Sequence, residues 1–88
     1  MFTGIIEATA PVLSKTDSQL LVARPELFAD ITIGASIAVS GVCLSVISFD
    51  EDSMTFDVVE ETWKKSKLGS LQEGDLINLE RACLADSR

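Results

Sequence analysis

Hydrophobic and polar residues alternate along most of this chain, and the alternation is clearest between Ile31 and Val46. Up to Val39 the apolar residues occupy odd-numbered positions, whereas from Val42 onward they occupy even-numbered ones. The phase changes at Ser40-Gly41, and a change at such a pair indicates a tight turn or a bulge. The segment is therefore predicted to form two strands, or one sharply bent strand.

The same period of two residues predicts strands elsewhere in the chain. Two polar segments, 50–53 and 73–75, are typical of turns between strands. Pro11 suits a strand end or a sheet edge, because it has no N–H for a central ladder. The remaining strand candidates are Gly4–Leu13, which is compatible with a strand as far as Pro11, and then Gln19–Ala23, Met54–Val58 and Asp75–Arg81.

Two segments have features of short helices. Pro25–Ala29 begins with proline and an acid, which the first helical turn tolerates. Glu60–Ser66 has acids first and lysines last, which complements the helix dipole. Six short strands with regular turns in 88 residues predict a single small, closed all-β barrel with one or two short helices.

Composition excludes several classes of function. Fourteen acidic against seven basic residues give a net charge of −7, which argues against nucleic-acid binding because phosphate contacts need Lys and Arg. The chain has no histidine, the commonest metal ligand and general base. Cys43 and Cys83, without histidine or a CxxC spacing, make a poor metal site. A disulfide between them is not favoured, because the chain is not rich in cysteine and shows no secretory signal.

A membrane-spanning helix is not expected. The stretch Ile31–Phe49 has no charged residue and is long enough to span a bilayer, but small polar residues alternate with its apolar ones, as in a strand. The N-terminus lacks the basic region of a signal peptide. We expect a soluble, cytoplasmic protein.

The residues alone leave the chemistry open. Asp57, Glu60 and Glu61 fit either a solvated helix start or one part of an acid–base pair. Cys43 fits either a small buried residue or a thiol that faces a ligand. The strand serines need hydrogen-bond partners if they are buried, and no nucleophile or phosphate-loop motif is present. These residues alone predict no more than a polar-lined groove for a heterocyclic ligand.

Four segments together resemble the riboflavin synthase family. The opening MFTGIIE, the stretch SGVCLSV at 40–46, Phe56-Asp57 followed by Glu61-Thr62, and LGSLQEGDLINLERA at 68–82 all match in order. The resemblance extends over the whole chain, 1–88. The second segment differs from the usual family pattern at two positions, where Ser40 replaces Asn and Ser45 replaces Thr.

The resemblance implies a fold and an activity. Family members contain two six-stranded antiparallel Greek-key barrels and form homotrimers. Each barrel binds one 6,7-dimethyl-8-ribityllumazine, and a four-carbon unit passes between two lumazines to give riboflavin without metal or added cofactor. This chain resembles the N-terminal barrel, so we expect a lumazine- or riboflavin-binding domain with little or no turnover alone, assembled as a homodimer.

The resemblance also implies ligand-binding positions. Cys43 is the one implied catalytic side chain, and a pocket for the ring and the ribityl chain would be lined by Gly4, Ile5, Ile6, Ser36, Cys43, Leu44, Ser45, Asp57, Val58, Val59, Glu60, Glu61 and Thr62. Two alternatives stay open. One is a non-catalytic domain like those of lumazine proteins, and the other is a small interaction barrel, although the aromatic and basic surface typical of nucleic-acid barrels is missing.

Overall fold

Six antiparallel strands close into a barrel in the order β1-β2-β5-β4-β3-β6 in this computed structural model, which describes residues 4–82. The strands are β1 (Ala8–Lys15), β2 (Gln19–Ala23), β3 (Ser36–Val39), β4 (Val42–Phe49), β5 (Ser53–Asp57) and β6 (Leu76–Arg81). One α-helix, α1 (Glu60–Lys65), and two 3₁₀ helices (Glu26–Phe28 and Lys67–Ser70) lie in the connections. The predicted all-β barrel is confirmed.

The strand order is a Greek key. β3, β4 and β5 follow one another as neighbours, and β6 then returns to pair with β3 on its other side. The barrel closes because β6 also pairs with β1. Both helical connections lie where the chain crosses between non-adjacent strands, from β2 to β3 and from β5 to β6.

Alternate residues of every strand fill the barrel interior. The core consists of aliphatic side chains with two phenylalanines and one methionine, and its fully buried large members include Leu20, Phe28, Ile37, Met54, Phe56, Leu68, Ile77 and Leu79. A barrel of this size has room inside for its own side chains only. Any ligand must therefore bind on the outer surface.

The predicted turn at Ser40-Gly41 is confirmed. Val39 pairs with Val42, so the two residues between them form a tight hairpin. Ser40 has φ 48° and Gly41 has φ 87°, as the right-handed twist of a two-residue hairpin demands. The turn reverses the phase of the alternation, which explains why the apolar set moves from odd to even positions.

The prediction of a strand beginning at Ile31 is wrong, because β3 begins only at Ser36. Residues 32–35 form a turn in which the Ala35 N–H donates to the Thr32 carbonyl at 3.0 Å, and Gly34 has φ 91°. This turn rotates the chain, so the side chain of Ile33 points to solvent, 70% exposed. The 31–49 stretch thus contains two strands, and no helix within residues 4–82 is long and apolar enough to cross a membrane.

The bounds of β1 also differ from the prediction, since it begins at Ala8 and continues past Pro11 to Lys15. Pro11 is the last residue that pairs with β6, and Val12 is the first that pairs with β2. The strand changes partner at this point, and its register shifts between Val12 and Ser14. A residue without an N–H is tolerated there, because ladders are already irregular at such bends.

Helix α1 is fixed to the β1–β2 hairpin through Trp63. The indole N–H of Trp63 donates to the Asp17 carbonyl at 2.8 Å, and the Lys15 ammonium lies 5.4 Å from the centre of the indole ring. Lys15 also donates to the carbonyl of Gly69 at 2.9 Å. Gly69 has no Cβ, which lets the following 3₁₀ helix approach the backbone of Trp63 closely.

We expect Gly69→Ala to lower the free energy of unfolding by about 1–3 kcal/mol, as overpacking does. A Cβ at this position would overlap the carbonyl oxygen of Trp63, so α1 and the 3₁₀ helix must separate. Urea unfolding followed by the fluorescence of Trp63, the single tryptophan, measures the effect. Gln72→Ala, at an exposed position nearby, is the control and should change stability by less than about 0.5 kcal/mol. Equal unfolding midpoints for Gly69→Ala and the wild type would contradict the close approach.

Candidate functional site

The outer face of β3, β4 and β6 brings several of the predicted site residues together. Ile37 and Val39 point into the core, so Ser36 and Ala38 point outward. Ser36 is the cross-strand partner of Ser45, and Ala38 is the partner of Cys43. Directly opposite residues present their side chains on the same face. Two serine hydroxyls and one thiol therefore lie on adjacent rows of one surface.

Cys43 is exposed and has no disulfide partner within the described residues. Of the two interpretations of Cys43, the buried packing residue is wrong, because the strand phase after the hairpin turns the thiol outward. Cys83 lies outside the described residues. Within 4–82 no group of His, Cys, Asp and Glu side chains could hold a metal ion.

The segment before β1 lies over the same face. The Gly4 N–H donates to both carboxylate oxygens of Glu80, at 3.1 and 3.2 Å. Glu80 is the cross-strand partner of Ala38, so Glu80, Ala38 and Cys43 form one row across β6, β3 and β4. Ile5 and Ile6 are 69% and 55% exposed. The sequence prediction placed Gly4, Ile5 and Ile6 beside the ligand, and the structure places them beside this row.

A cavity of about 360 Å³ lies between this segment and the barrel. Gly4 and Ile6 are the two predicted site residues that line it. Its other lining residues were not predicted, and they are Ala38, Ser40, Gly41, Lys67, Asn78, Leu79 and Glu80. Lys67 and Glu80 give the cavity one positive and one negative side chain. The cavity could thus accept a ligand edge that contains both donors and acceptors.

Arg81 holds the other end of this segment. Its side chain donates to both oxygens of Glu7, at 3.0 and 3.2 Å, and to the Asp30 carboxylate at 2.8 Å. The guanidinium also lies 5.1 Å from the centre of the Phe28 ring. The hydrogen bond that Arg81 donates to Glu7 is the main reason that the pKa of Arg81 is raised, and burial opposes this increase. The cation therefore joins the N-terminal segment, β6 and the β2–β3 connection.

The third part of the predicted site lies where β5 leads into α1. Asp57 is exposed at the end of β5, where it pairs with Gln19, and Val59 is 63% exposed just before the helix. Glu60 and Glu61 form the first turn of α1, as predicted. Each makes an exposed ion pair one turn along, to Lys64 at 3.1 Å and to Lys65 at 2.6 Å.

Two of the predicted residues are buried, and a third is half-buried. Leu44 and Val58 pack in the core, at 6% and 2% exposure, so a ligand on the outer surface would not reach their side chains. Thr62 is half-buried in α1, and its carbonyl accepts a hydrogen bond from the Ser66 hydroxyl at 2.6 Å. At Leu44 and Val58 only the backbone is left to contact a ligand on the outer surface.

Glu80 is the most informative residue that sequence reasoning missed. The alternation of β6 assigned it, with Asn78, to the polar side opposite Ile77 and Leu79, and that side is usually solvated. The structure instead buries it to 7% exposure. One partner of its carboxylate is the Gly4 N–H, 76 residues away in the sequence, so no local pattern could reveal this contact.

Comparison with known proteins gives consistent matches. The family model for the lumazine binding domain matches residues 3–82. The chain is 41% identical over 92 residues to riboflavin synthase of Bacillus amyloliquefaciens, and 42% identical over 93 residues to that of Mycobacterium tuberculosis (strain ATCC 25618 / H37Rv). These alignments cover 100% of this chain but 43% and 46% of the relatives, so the chain spans under half of their length.

A solved structure has a similar fold. The crystal structure of LumP complexed with 6,7-dimethyl-8-(1'-D-ribityl) lumazine superposes with a TM-score of 0.85 at 24% identity. The superposition covers 100% of this chain and 51% of that chain. At 24% identity the similarity shows only that the two proteins share the barrel fold.

Proposed function

Because the chain belongs to the lumazine binding domain family, we propose that it is the N-terminal ligand-binding barrel of a riboflavin synthase. The single observation that supports this most strongly is the identity of 41% to such an enzyme over the complete chain. The enzyme is favoured over a non-catalytic lumazine-binding domain, since the similar curated proteins are riboflavin synthases from bacteria and a yeast.

The proposed ligand is 6,7-dimethyl-8-ribityllumazine or riboflavin, bound on the outer surface. Such a ligand combines a flat heterocycle with a hydroxylated chain. The hydroxyls of Ser36 and Ser45, together with the carboxylate of Asp57, would meet the ribityl hydroxyls. The exposed side chains of Ile5 and Ile6 would cover one face of the ring. Backbone groups of the same segment would bind the polar edge of the ring.

In the proposed reaction one lumazine gives up a four-carbon unit and a second lumazine accepts it. The products are riboflavin and a ribitylamino-pyrimidinedione, so the enzyme is a transferase of riboflavin biosynthesis. Following the family resemblance, the proposal includes no metal and no added cofactor. Transfer requires two ligands held face to face, and one barrel holds one of them. The domain alone is therefore proposed to bind without appreciable turnover.

The exposed hydroxyl of Ser45 offers a direct test of the site. We expect riboflavin or the lumazine to change fluorescence when titrated with the protein, and Ser45→Ala to weaken binding by about 0.5–1.5 kcal/mol, the value of one hydrogen bond. Ser14→Ala, an exposed serine on β1, is the matched control and should leave the Kd unchanged. No fluorescence change with wild-type protein on the order of 50 µM would contradict the proposed function. An unchanged Kd for Ser45→Ala would remove only this residue from the site.

Cys43 is the proposed catalytic side chain, since its free thiol is exposed on the proposed ligand-binding face. We expect Cys43→Ser to keep the fold and ligand binding of the domain, because an exposed position tolerates the change from sulfur to oxygen. In a two-barrel chain the same variant should reduce kcat, measured as riboflavin formed per unit time. Unaltered turnover there would exclude a chemical role for the thiol.

We propose that this domain on its own forms a homodimer, with a second copy in the place of a second barrel, whereas the full enzyme would be a homotrimer. The support is the cluster of exposed apolar side chains in the N-terminal segment, which soluble monomers usually cover. Sedimentation velocity is expected to give twice the 9.5 kDa chain mass. A monomer mass at every concentration tested would contradict the dimer. The cytoplasmic location expected from the sequence stays a prediction.

A further inference from the structure

The segment Gly4–Glu7, here named the strap, is held to β6 at both of its ends. At one end the Gly4 N–H donates to the carboxylate of Glu80. At the other end the Arg81 N–H donates to Glu7 at 2.8 Å, and the Glu7 N–H donates to the Leu79 carbonyl at 2.9 Å. Between these ends the side chains of Ile5 and Ile6 remain largely exposed.

Glu80 is the one charged side chain that is buried within residues 4–82, at 7% exposure. Removing a carboxylate from water is unfavourable unless hydrogen bonds compensate for the lost solvation. Here both carboxylate oxygens accept from the same backbone N–H, in a bifurcated arrangement. The geometry fixes the backbone of Gly4 with respect to β6.

Glu80 also lies beside the proposed ligand surface. It occupies the same cross-strand row as Ala38 and Cys43, two strand spacings from the thiol, or about 10 Å. It lines the 360 Å³ cavity together with Gly4 and Ile6. A displacement of the strap would therefore change the shape of this cavity directly.

The strap contributes little to the core. Its two isoleucines are mostly exposed, and neither belongs to the cluster of buried side chains in the barrel. The Glu7–Arg81 pair holds the β1 end independently of Glu80. Loss of the Glu80 contact should therefore release the Gly4 end while the barrel remains folded.

We propose that Glu80 is a positioning residue for ligand binding, whose carboxylate holds the strap so that Gly4, Ile5 and Ile6 form one wall of the ligand site. This inference rests on the proposed function. Glu80 acts through the strap and needs no contact with the ligand.

The test compares Glu80→Ala and Glu80→Gln with the wild type at a temperature where all three are folded. We expect the riboflavin Kd to increase roughly tenfold for Glu80→Ala, because the charge-assisted bond is lost. Glu80→Gln should be intermediate, since its amide oxygen can accept one bond from Gly4. In the ligand-free proteins, ¹⁵N relaxation should show faster motion at Gly4–Ile6 in Glu80→Ala and unchanged motion in the strands.

Two controls separate positioning from loss of stability. Glu73→Gln changes an exposed carboxylate in the turn before β6 and should affect neither Kd nor relaxation. Ile77→Val removes a buried methyl group from β6 itself, so it should lower the unfolding midpoint without changing the Kd.

Each outcome has a distinct meaning. If the wild type binds riboflavin and Glu80→Ala binds equally well, the positioning role is overturned while the proposed function stands. If Glu80→Ala weakens binding only as much as Ile77→Val does, its effect is structural and the inference is also overturned. If the wild type does not bind riboflavin or the lumazine, the proposed function fails and the positioning role fails with it.

Discussion

Closure of the barrel by β6 is the constraint on which the rest of this structure depends. β6 is the last strand within residues 4–82, yet it pairs with β1 on one side and β3 on the other, so the ladder has no free edge there. It contributes Ile77 and Leu79 to the core and presents Glu80 on the outer side. Arg81, at its end, contacts Glu7 and Asp30. One strand thus connects the interior, the strap and the β2–β3 connection.

Closure also decides where binding can occur. A six-stranded barrel is filled by its own side chains, so the residues of the proposed site lie outside, on the faces of strands and in the crossing connections. The outer face of β3 and β4 supplies hydroxyls and a thiol, and the strap supplies apolar side chains. The α1 connection is fixed by Trp63 and Lys15, which gives the acidic end of β5 a defined position relative to the barrel.

Much of the fold followed from local patterns. The period-two alternation located β2 and β6 to within one residue, and the Ser40-Gly41 phase change marked the hairpin, because both signals depend only on neighbouring residues. The helix Glu60–Lys65 followed from its charge order. The alternation failed at Ile33, where a turn with Gly34 in a left-handed conformation interrupts an otherwise regular pattern. The strand end expected at Pro11 is also not observed, because β1 exchanges one partner strand for another there and continues to Lys15.

By itself, the sequence determined the strand content, the closed all-β class and, through four ordered segments, the family to which the chain belongs. The tertiary structure alone decided which outward-facing residues are solvated and which are covered. Ser45 and Glu80 both lie on the outer side of their strands, yet Ser45 is exposed, whereas Glu80 is buried and accepts a hydrogen bond from Gly4. Alternation reports which side of a strand a residue faces, whereas burial on the outer side depends on which distant segment crosses it. Here the segment that crosses is the strap, and it lies on β6, the strand that closes the barrel.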